Sequence, residues 1–270
     1  GQVSYFRKQQ GNTDTLILLT YALSRADAGS GNYAALVQQV IGLSTARYLS
    51  DNASSNSLAY LALISTRAGA SPSFKEKVFA ALINRVEIDS RGAYVKPNPQ
   101  NIGWAYYETT EKNTALFLKA LATDKRAYTQ TDSILRWLVA SRASDGAWGS
   151  TNASVAAIDA LSEYLLWKRE TESNFTLSTT LDEETISETT FSAKNILSTI
   201  TTFLPINDLK TNAAQALAFT KSKASELPNN FYYDLSLKYF LPVKQIAPRD
   251  EGVAITRAFY QLTDTAQTQP

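Results

Sequence analysis

The chain contains 270 residues, of which 44% are apolar, so it is long enough for one large or two ordinary domains with a sizeable core. Its 26 basic and 25 acidic residues nearly cancel and are interspersed, which argues against nucleic acid or an anionic membrane as the main partner. The chain has neither cysteine nor histidine. Disulfides, thiol nucleophiles, Ser-His-Asp catalysis and His- or Cys-ligated zinc are therefore excluded within these residues.

No run of about 18 apolar residues is present, so no membrane-spanning helix is predicted. No signal peptide is visible either. Because the chain also lacks methionine, we expect it to be an internal segment of a longer protein.

The first part of the chain, to about Lys168, is predicted to be helical. A phrase rich in Ala and Leu occurs four times, opening at Asn12, Asn56, Asn113 and Asn152. Asn, Thr and Ser are good N-cap residues, so we expect a helix to begin at the start of each copy. The copies are too widely and too irregularly spaced for tetratricopeptide or ankyrin units, and the spacing favours whole helical hairpins.

A second, more amphipathic type of helix is predicted between the copies, at residues 33–49, 74–86 and 133–138. Apolar residues three and four positions apart put each apolar stripe on one face. This alternation predicts two layers, with the Ala/Leu-rich helices more buried, as in an α/α toroid of hairpins. The loops between them combine glycine with an aromatic residue, at residues 91–94, 103–104 and 145–150, and we expect each aromatic ring to plug the end of a hairpin.

The pattern changes after Lys168. Residues 174–186 alternate with a period of two, residues 213–219 fit either a strand or a short helix, and residues 231–241 form the best predicted strand of the chain. We interpret residues 170–242 as a small β-sandwich or half of one. The stretch from Val243 onward is too short to fold alone and is expected to open another domain.

Two passages resemble one protein family. Residues 134–139, 145–152 and 156–164 are similar to the last hairpin of the thioester domain of α2-macroglobulins and complement proteins, where a helix, a Gly-aromatic loop and a second helix ending Ala-Leu-Ser-x-Tyr follow each other. Residues 232–242 and 248–257, with Pro-Arg-Asp-Glu-Gly and a Thr-Arg pair, resemble the junction into the final macroglobulin domain of the bacterial members.

The resemblance implies a mixed, multidomain fold. Residues 1–168 would form a partial α/α toroid that lacks its N-terminal hairpins, residues 169–242 a CUB-like β-domain, and residues 243–270 the start of the last macroglobulin domain. The family's Cys-x-Glu-Gln thioester motif is absent because the chain has no cysteine. No catalytic, cofactor-binding or metal-binding residue is therefore carried over.

The function implied by the resemblance is that of a protease trap. In this family a bait segment is cut, the molecule rearranges, and a thioester captures the protease covalently. This chain would then be a non-catalytic segment of a bacterial, broad-spectrum protease inhibitor in the periplasm or cell envelope. Its expected partners are proteases and neighbouring macroglobulin domains, without nucleic acid and without membrane insertion of its own.

Two other classes of function stay open. An α/α-toroid enzyme, similar to a terpenoid cyclase or a glycosidase, would need paired carboxylates in a deep cavity, and Glu108, Glu111 and Asp132 are the candidates. We expect these three side chains to cap helices or face solvent instead. A cyclase would also need an Asp-rich diphosphate motif, which the sequence lacks. The third class is a thioester-free binding or scaffold module.

The remaining sequence signals have structural interpretations. Trp148 could line a ligand cavity, but such a loop usually closes a hairpin. Residues 182–184 are acidic and could bind a cation, although a solvated turn is the more ordinary outcome. Asn52, Asn152 and Asn174 open Asn-x-Ser/Thr triplets, which matter only in a eukaryotic secretory host. Residues 249–251 are expected to form an ion-pair cluster between domains.

Overall fold

The computed structural model describes residues 13–26, 34–47, 53–98, 108–172, 174–196, 198–210, 213–222 and 231–240. Within these ranges the fold is mixed and helix-rich, with seven α-helices and two small antiparallel sheets. The helices are α1 Thr13–Ala26, α2 Ala34–Arg47, α3 Ser55–Arg67, α4 Pro72–Ile83, α5 Thr110–Asp124, α6 Thr131–Ala140 and α7 Thr151–Lys168. The strands are β1 Val86–Ile88, β2 Ala93–Val95, β3 Phe175–Leu181, β4 Glu184–Phe191 and β5 Leu217–Lys221.

The predicted helices are confirmed, but their caps lie elsewhere than expected. The side chains of Ser54, Thr109 and Ser150 accept the hydrogen bonds that begin α3, α5 and α7. Asn56 and Asn113 are already inside their helices and are buried, so they cannot serve as N-caps. The predicted start at Asn12 lies outside the described residues.

The helices pack in the two layers that the sequence predicts. In one layer α1 packs against α3, α3 against α5, and α5 against α7. In the other, α2, α4 and α6 pack against α1, α3 and α5, the helices that precede them in the chain. The side chains between the helices are almost completely excluded from solvent, among them Leu58, Leu61, Val78, Phe117 and Leu138. The burial of such aliphatic and aromatic groups is the main source of stability here.

A short hairpin that the sequence did not predict lies inside the helical part. The helix predicted at residues 74–86 ends at Ile83, and Val86 already belongs to β1. Strand β1 pairs with β2 in antiparallel register, Val86 opposite Val95. Strand β2 contacts α5 and α6, so the hairpin covers the side of these two helices. Of the loop predicted at residues 91–94, only Arg91 and Gly92 lie at the tip of this β-hairpin, and the other two residues belong to β2.

The β-rich part contains one three-stranded sheet in the order β4-β3-β5. The predicted alternation at residues 174–186 is divided between β3 and β4 by a turn in which Asp182 and Glu183 have positive φ. Residues 213–219, which fitted either a strand or a short helix, contain no helix, and residues 217–219 are the first part of β5. Within the described residues the second layer of the predicted β-sandwich stays a prediction, and so do the domain boundaries.

The strongest strand prediction, residues 231–241, is wrong over the described residues 231–240, none of which is part of a β-strand. Phe231 and Tyr233 contact Phe219 of β5 through their rings, at centroid distances of 5.4 and 4.7 Å. Beyond these contacts the apolar side chains are largely exposed, with Leu235 at 72% and Phe240 at 91%. Alternation alone cannot make a strand, because a strand also needs a neighbour to bond with.

None of the helices in the described part is both long and apolar enough to cross a bilayer.

Candidate functional site

The first candidate site is a buried polar cluster where α1, α3 and α5 begin. Asp14, in the first turn of α1, accepts hydrogen bonds from the hydroxyls of Ser54, at 3.0 Å, and Ser57. The Ser54 hydroxyl oxygen in turn accepts from the backbone N–H of Ser57, 3.0 Å away. A negative charge at a helix N-terminus is favourable because the first backbone N–H groups are unpaired. Asp14 therefore extends the N-cap of α3 and ties it to α1.

Glu108 performs a similar task from the other side. Its Oε1 accepts from the backbone N–H of Ser55 at 2.6 Å and from the Asn113 amide at 3.3 Å. Arg85 donates to the Ser55 hydroxyl at 3.0 Å and brings a positive charge to the same helix end. Burial raises the pKa of Glu108, although hydrogen bonds from Ser55, Asn56 and Asn113 and the charge of Arg85 oppose that rise.

The three carboxylates named as candidates for catalytic pairs occupy structural positions: two accept hydrogen bonds from other elements, and the third lies in the first turn of a helix. Glu108 caps α3, as described above. Asp132, in the first turn of α6, accepts from the Tyr164 hydroxyl at 3.1 Å. Glu111 lies in the first turn of α5, where a negative charge favours the helix. No hydrogen bond within the described residues joins any two of them as a catalytic pair.

A second polar cluster, which sequence reasoning missed, lies in the middle of the helices. Lys119 of α5 is fully buried, donates to the Tyr21 hydroxyl at 2.9 Å and forms an ion pair with Asp159 of α7. Arg25 of α1 pairs with the same Asp159 at 3.1 Å. The ring of Tyr60, on α3, lies 4.8 Å from that of Tyr21. The available signal was a lysine inside an otherwise apolar run.

The Lys119 cluster connects three helices, α1, α5 and α7. Burial raises the pKa of Tyr60 to about 12, and the nearby Tyr21 and Asp159 contribute in the same direction. Lys119 is closed off from solvent, and its ammonium already has two partners. Only the lysine end of this ion pair is buried, since the Asp159 side chain is 37% exposed, and the contact joins α5 to α7.

Trp148 closes the α6–α7 hairpin, as the structural interpretation predicts. Gly146 and Gly149 have φ of +88° and +74°, which glycine adopts most readily. The turn they form directs the Trp148 ring inward, where its indole N–H donates to the Leu138 carbonyl at 2.7 Å. This bond satisfies a carbonyl in the last turn of α6. Trp148 does not line the cavity described next.

A cavity lies between α6, α7 and the three-stranded sheet, with a volume of about 730 Å³. Leu135, Leu161, Phe175 and Phe219 are typical of its mainly apolar wall. At one side the Tyr232 hydroxyl donates to the buried Glu170, 3.1 Å away.

Tyr164 and Tyr232, two tyrosines at this cavity, are held in their neutral form. Burial raises the pKa of Tyr232, and the negative charge of Glu170 adds to the effect. The pKa of Tyr164 is raised in the same way, first by burial and then by Asp132. These phenols are therefore hydrogen-bond donors and not bases.

The acidic turn at residues 182–184 is used within the protein. Asp182 accepts from the Lys210 ammonium at 2.6 Å, the Gln215 amide at 3.2 Å and the Ala216 N–H at 2.8 Å. These contacts, led by the bond from Lys210, lower the pKa of Asp182 to about 2. Across the described part of the chain no three acidic, His or Cys side chains are grouped to hold a metal ion.

One family model matches the chain. Residues 105–164 match the model described as the A-macroglobulin TED domain. The matched residues include α5, α6 and most of α7. This segment, less than a quarter of the chain, is therefore similar to the thioester-containing domain of macroglobulins and complement proteins. No curated protein matches the chain.

Proposed function

We propose that this chain contributes helical hairpins and a following β-rich segment to an α2-macroglobulin-like protease trap of the bacterial cell envelope. The observation that carries the proposal is the match of residues 105–164 to the TED domain. The matched residues coincide with a packed unit of three helices, α5 to α7, closed by the Trp148 loop.

The role proposed for the chain itself is to act as a scaffold. It contains no cysteine that could supply the sulfur of a thioester. Its buried carboxylates and its buried lysine bond to neighbouring helices. Covalent capture of a protease would accordingly need a cysteine from outside these residues.

The proposal of a toroid enzyme has less support. A glycosidase requires two carboxyl groups about 5 to 10 Å apart around an accessible substrate. The space between the helices is instead filled by side chains such as Leu61, Phe117 and Leu118.

The test uses the full-length protein that contains this chain. It is mixed with trypsin and analysed on a denaturing gel, with and without methylamine pretreatment, which opens a thioester. Trypsin inactivated at its active-site serine is the matched control, because it binds but cannot cut a bait segment. We expect a high-mass conjugate that requires active trypsin and that methylamine abolishes.

The other outcomes separate the alternatives. Discrete cleavage without a conjugate, combined with loss of trypsin activity toward large substrates, would indicate a non-covalent trap. If the protein is neither cut at a discrete site nor inhibitory, the proposal of a protease trap is wrong.

A further inference from the structure

Two buried oxygen atoms, on a pair of hydrogen-bonded side chains beside the N-terminus of α3, have no hydrogen-bond donor among the described residues. They are Oε2 of Glu108 and Oδ1 of Asn113, in residues that are 5% and 0% exposed. Neither has a partner within the described residues. The remaining polar atoms of the two side chains form a hydrogen bond, in which the Asn113 amide nitrogen donates to Oε1 of Glu108 at 3.3 Å.

An ionised Glu108 cannot satisfy this arrangement. A carboxylate only accepts hydrogen bonds, and so does the Asn113 carbonyl oxygen, so with Glu108 ionised neither side chain could supply a proton to the unpaired oxygen of the other. A buried, unsatisfied polar atom is costly, and more so when it carries charge. A neutral carboxylic acid removes both problems, because its O–H is a donor.

We propose that Glu108 holds a proton in the folded protein and forms a cyclic pair with Asn113. The Asn113 N–H donates to Oε1, and the Glu108 O–H on Oε2 donates to Oδ1 of Asn113. Oε1, as the carbonyl oxygen of the acid, still accepts from the Ser55 N–H at 2.6 Å. The pair would join the beginning of α5 to the beginning of α3, independently of the proposed protease-trap function.

The charges around Glu108 act in opposite directions. Arg85 and the N–H groups of Ser55 and Asn56 favour the ionised form, whereas burial favours the neutral form and is the largest influence. Lys112 on α5 also favours an anion, but burial lowers its own pKa. Asp14, on α1, is the other carboxylate at this helix end and is occupied by Ser54 and Ser57. The pKa of Glu108 is raised as a result.

The pair makes this helix junction sensitive to pH. The folded pKa of Glu108 lies above its unfolded value, so its contribution to stability is complete below the unfolded pKa and is lost as pH rises through the folded pKa. Above that point the proton leaves to solvent, and the carboxylate faces the Asn113 carbonyl oxygen. We expect the contact between α3 and α5 to weaken there.

The direct test is a carbon-13 NMR titration of the Glu108 carboxyl group in the 270-residue chain, assigned by comparison with Glu108→Gln. The expected midpoint lies above that of an ordinary glutamate, about 4.3. A midpoint at or below that value would overturn the proposal.

A second measurement follows urea unfolding of the same two proteins across pH. Glutamine offers the same geometry with a permanent donor, so Glu108→Gln should unfold without the decline that wild type shows as pH rises through the NMR midpoint. The control Glu111→Gln, three residues later in the first turn of α5, should retain this decline. Equal pH dependence of wild type and Glu108→Gln would contradict the proposal.

Discussion

Asp89 fastens the β1–β2 hairpin to α6 through one carboxylate. It accepts from the backbone N–H groups of Arg91 and Gly92 at 2.8 and 3.2 Å and from the Trp137 indole N–H at 3.1 Å. Partial burial alone would raise its pKa, but the Arg91 side chain, Trp137 and the backbone bonds together lower it to about 2. Its contribution to stability is therefore present above the unfolded pKa and is lost as pH falls toward 2.

Gly92 next to this carboxylate cannot be replaced without strain. Its φ is +149°, and an added Cβ would lie 2.2 Å from the Ser133 carbonyl oxygen on α6. We expect Gly92→Ala to lower the free energy of unfolding by about 2 to 4 kcal/mol. The matched control is Gly42→Ala in α2, where an added Cβ meets nothing within 4 Å. Because alanine favours the helix, this change should raise the free energy of unfolding by about 0.5 to 1 kcal/mol.

These two changes can be compared by urea denaturation with tryptophan fluorescence. A Gly92→Ala protein as stable as wild type would mean that the hairpin tip does not lie against Ser133.

Lys119 and Asp159 should respond unequally to substitution. Asp159→Asn leaves the fully buried Lys119 ammonium without its carboxylate. Because Asp159 itself is 37% exposed, we expect a loss of about 1 to 3 kcal/mol, below the cost of breaking a fully buried pair. Lys119→Met fills the same space with an apolar side chain, and Arg25 remains to pair with Asp159. We expect Lys119→Met to change the unfolding free energy by less than about 1 kcal/mol.

The measurement is the unfolding free energy of both single variants and of the double variant. If Lys119→Met is the more damaging change, the cluster has a role beyond holding helices together.

At the scale of the element, the helices are defined by their caps as much as by their apolar faces. Ser150 accepts from the Ala153 N–H at 3.2 Å and begins α7, while Asn152 is exposed inside the first turn. Ser150→Ala should therefore cost about 1 kcal/mol of stability. Asn152→Ala should be neutral or stabilising by about 0.5 kcal/mol, because alanine favours the helix.

The pair of substitutions distinguishes the two possible caps of α7 in a thermal unfolding experiment. A larger loss of stability from Asn152→Ala than from Ser150→Ala would mean that Asn152, and not Ser150, caps α7.

The elements differ in how far the sequence could predict them. The periodic apolar residues were enough to locate all the helices in the described part, since a helix satisfies its own backbone hydrogen bonds. The β1–β2 hairpin was missed because its strands have three residues each, too few to show a period. Residues 231–240 were overpredicted because strand formation depends on a partner that alternation cannot reveal.

The contacts within the candidate sites were harder to predict from the sequence than the helices. The sequence left Glu108 either to cap a helix or to face solvent, and it could not show that the side chain caps α3, at Ser55, 53 residues earlier in the chain. Lys119 and Asp159 are 40 residues apart, and nothing local relates them. Contacts between distant segments arise only from the packing of whole helices.

On the scale of the whole molecule, the helical part and the sheet differ in packing. Residues Leu58 to Ile64 of α3 are almost all inaccessible, whereas most residues of β3 and nearly all residues of β4 and β5 are half-buried or exposed. The cavity of about 730 Å³ lies under that sheet. We expect backbone amides of α3 and α5 to exchange hydrogen much more slowly than those of β3 to β5. Native-state exchange with mass spectrometry would show this, and equal protection would contradict it.

The outer face of α7 leads to a prediction about association. Thr151, Val155, Ile158, Ser162 and Leu166 recur at helical spacing along it, and the three apolar members are 62%, 59% and 68% exposed. The opposite face is buried against α5, so α7 is apolar on two sides, which is typical of a helix covered on both. Exposed apolar stripes of this kind favour contact between molecules.

We therefore expect the 270-residue chain to self-associate reversibly as its concentration rises. The measurement is multi-angle light scattering over a series of concentrations. Val155→Gln combined with Ile158→Gln removes apolar surface, and glutamine is itself a good helix former, so α7 should persist. The double variant should therefore shift the chain toward monomer. Ile88→Gln, at a residue 65% exposed on β1, removes a similar side chain outside the stripe and should leave association unchanged. A chain that stays monomeric at every concentration, or equal effects of both changes, would mean that the α7 stripe is not the contact.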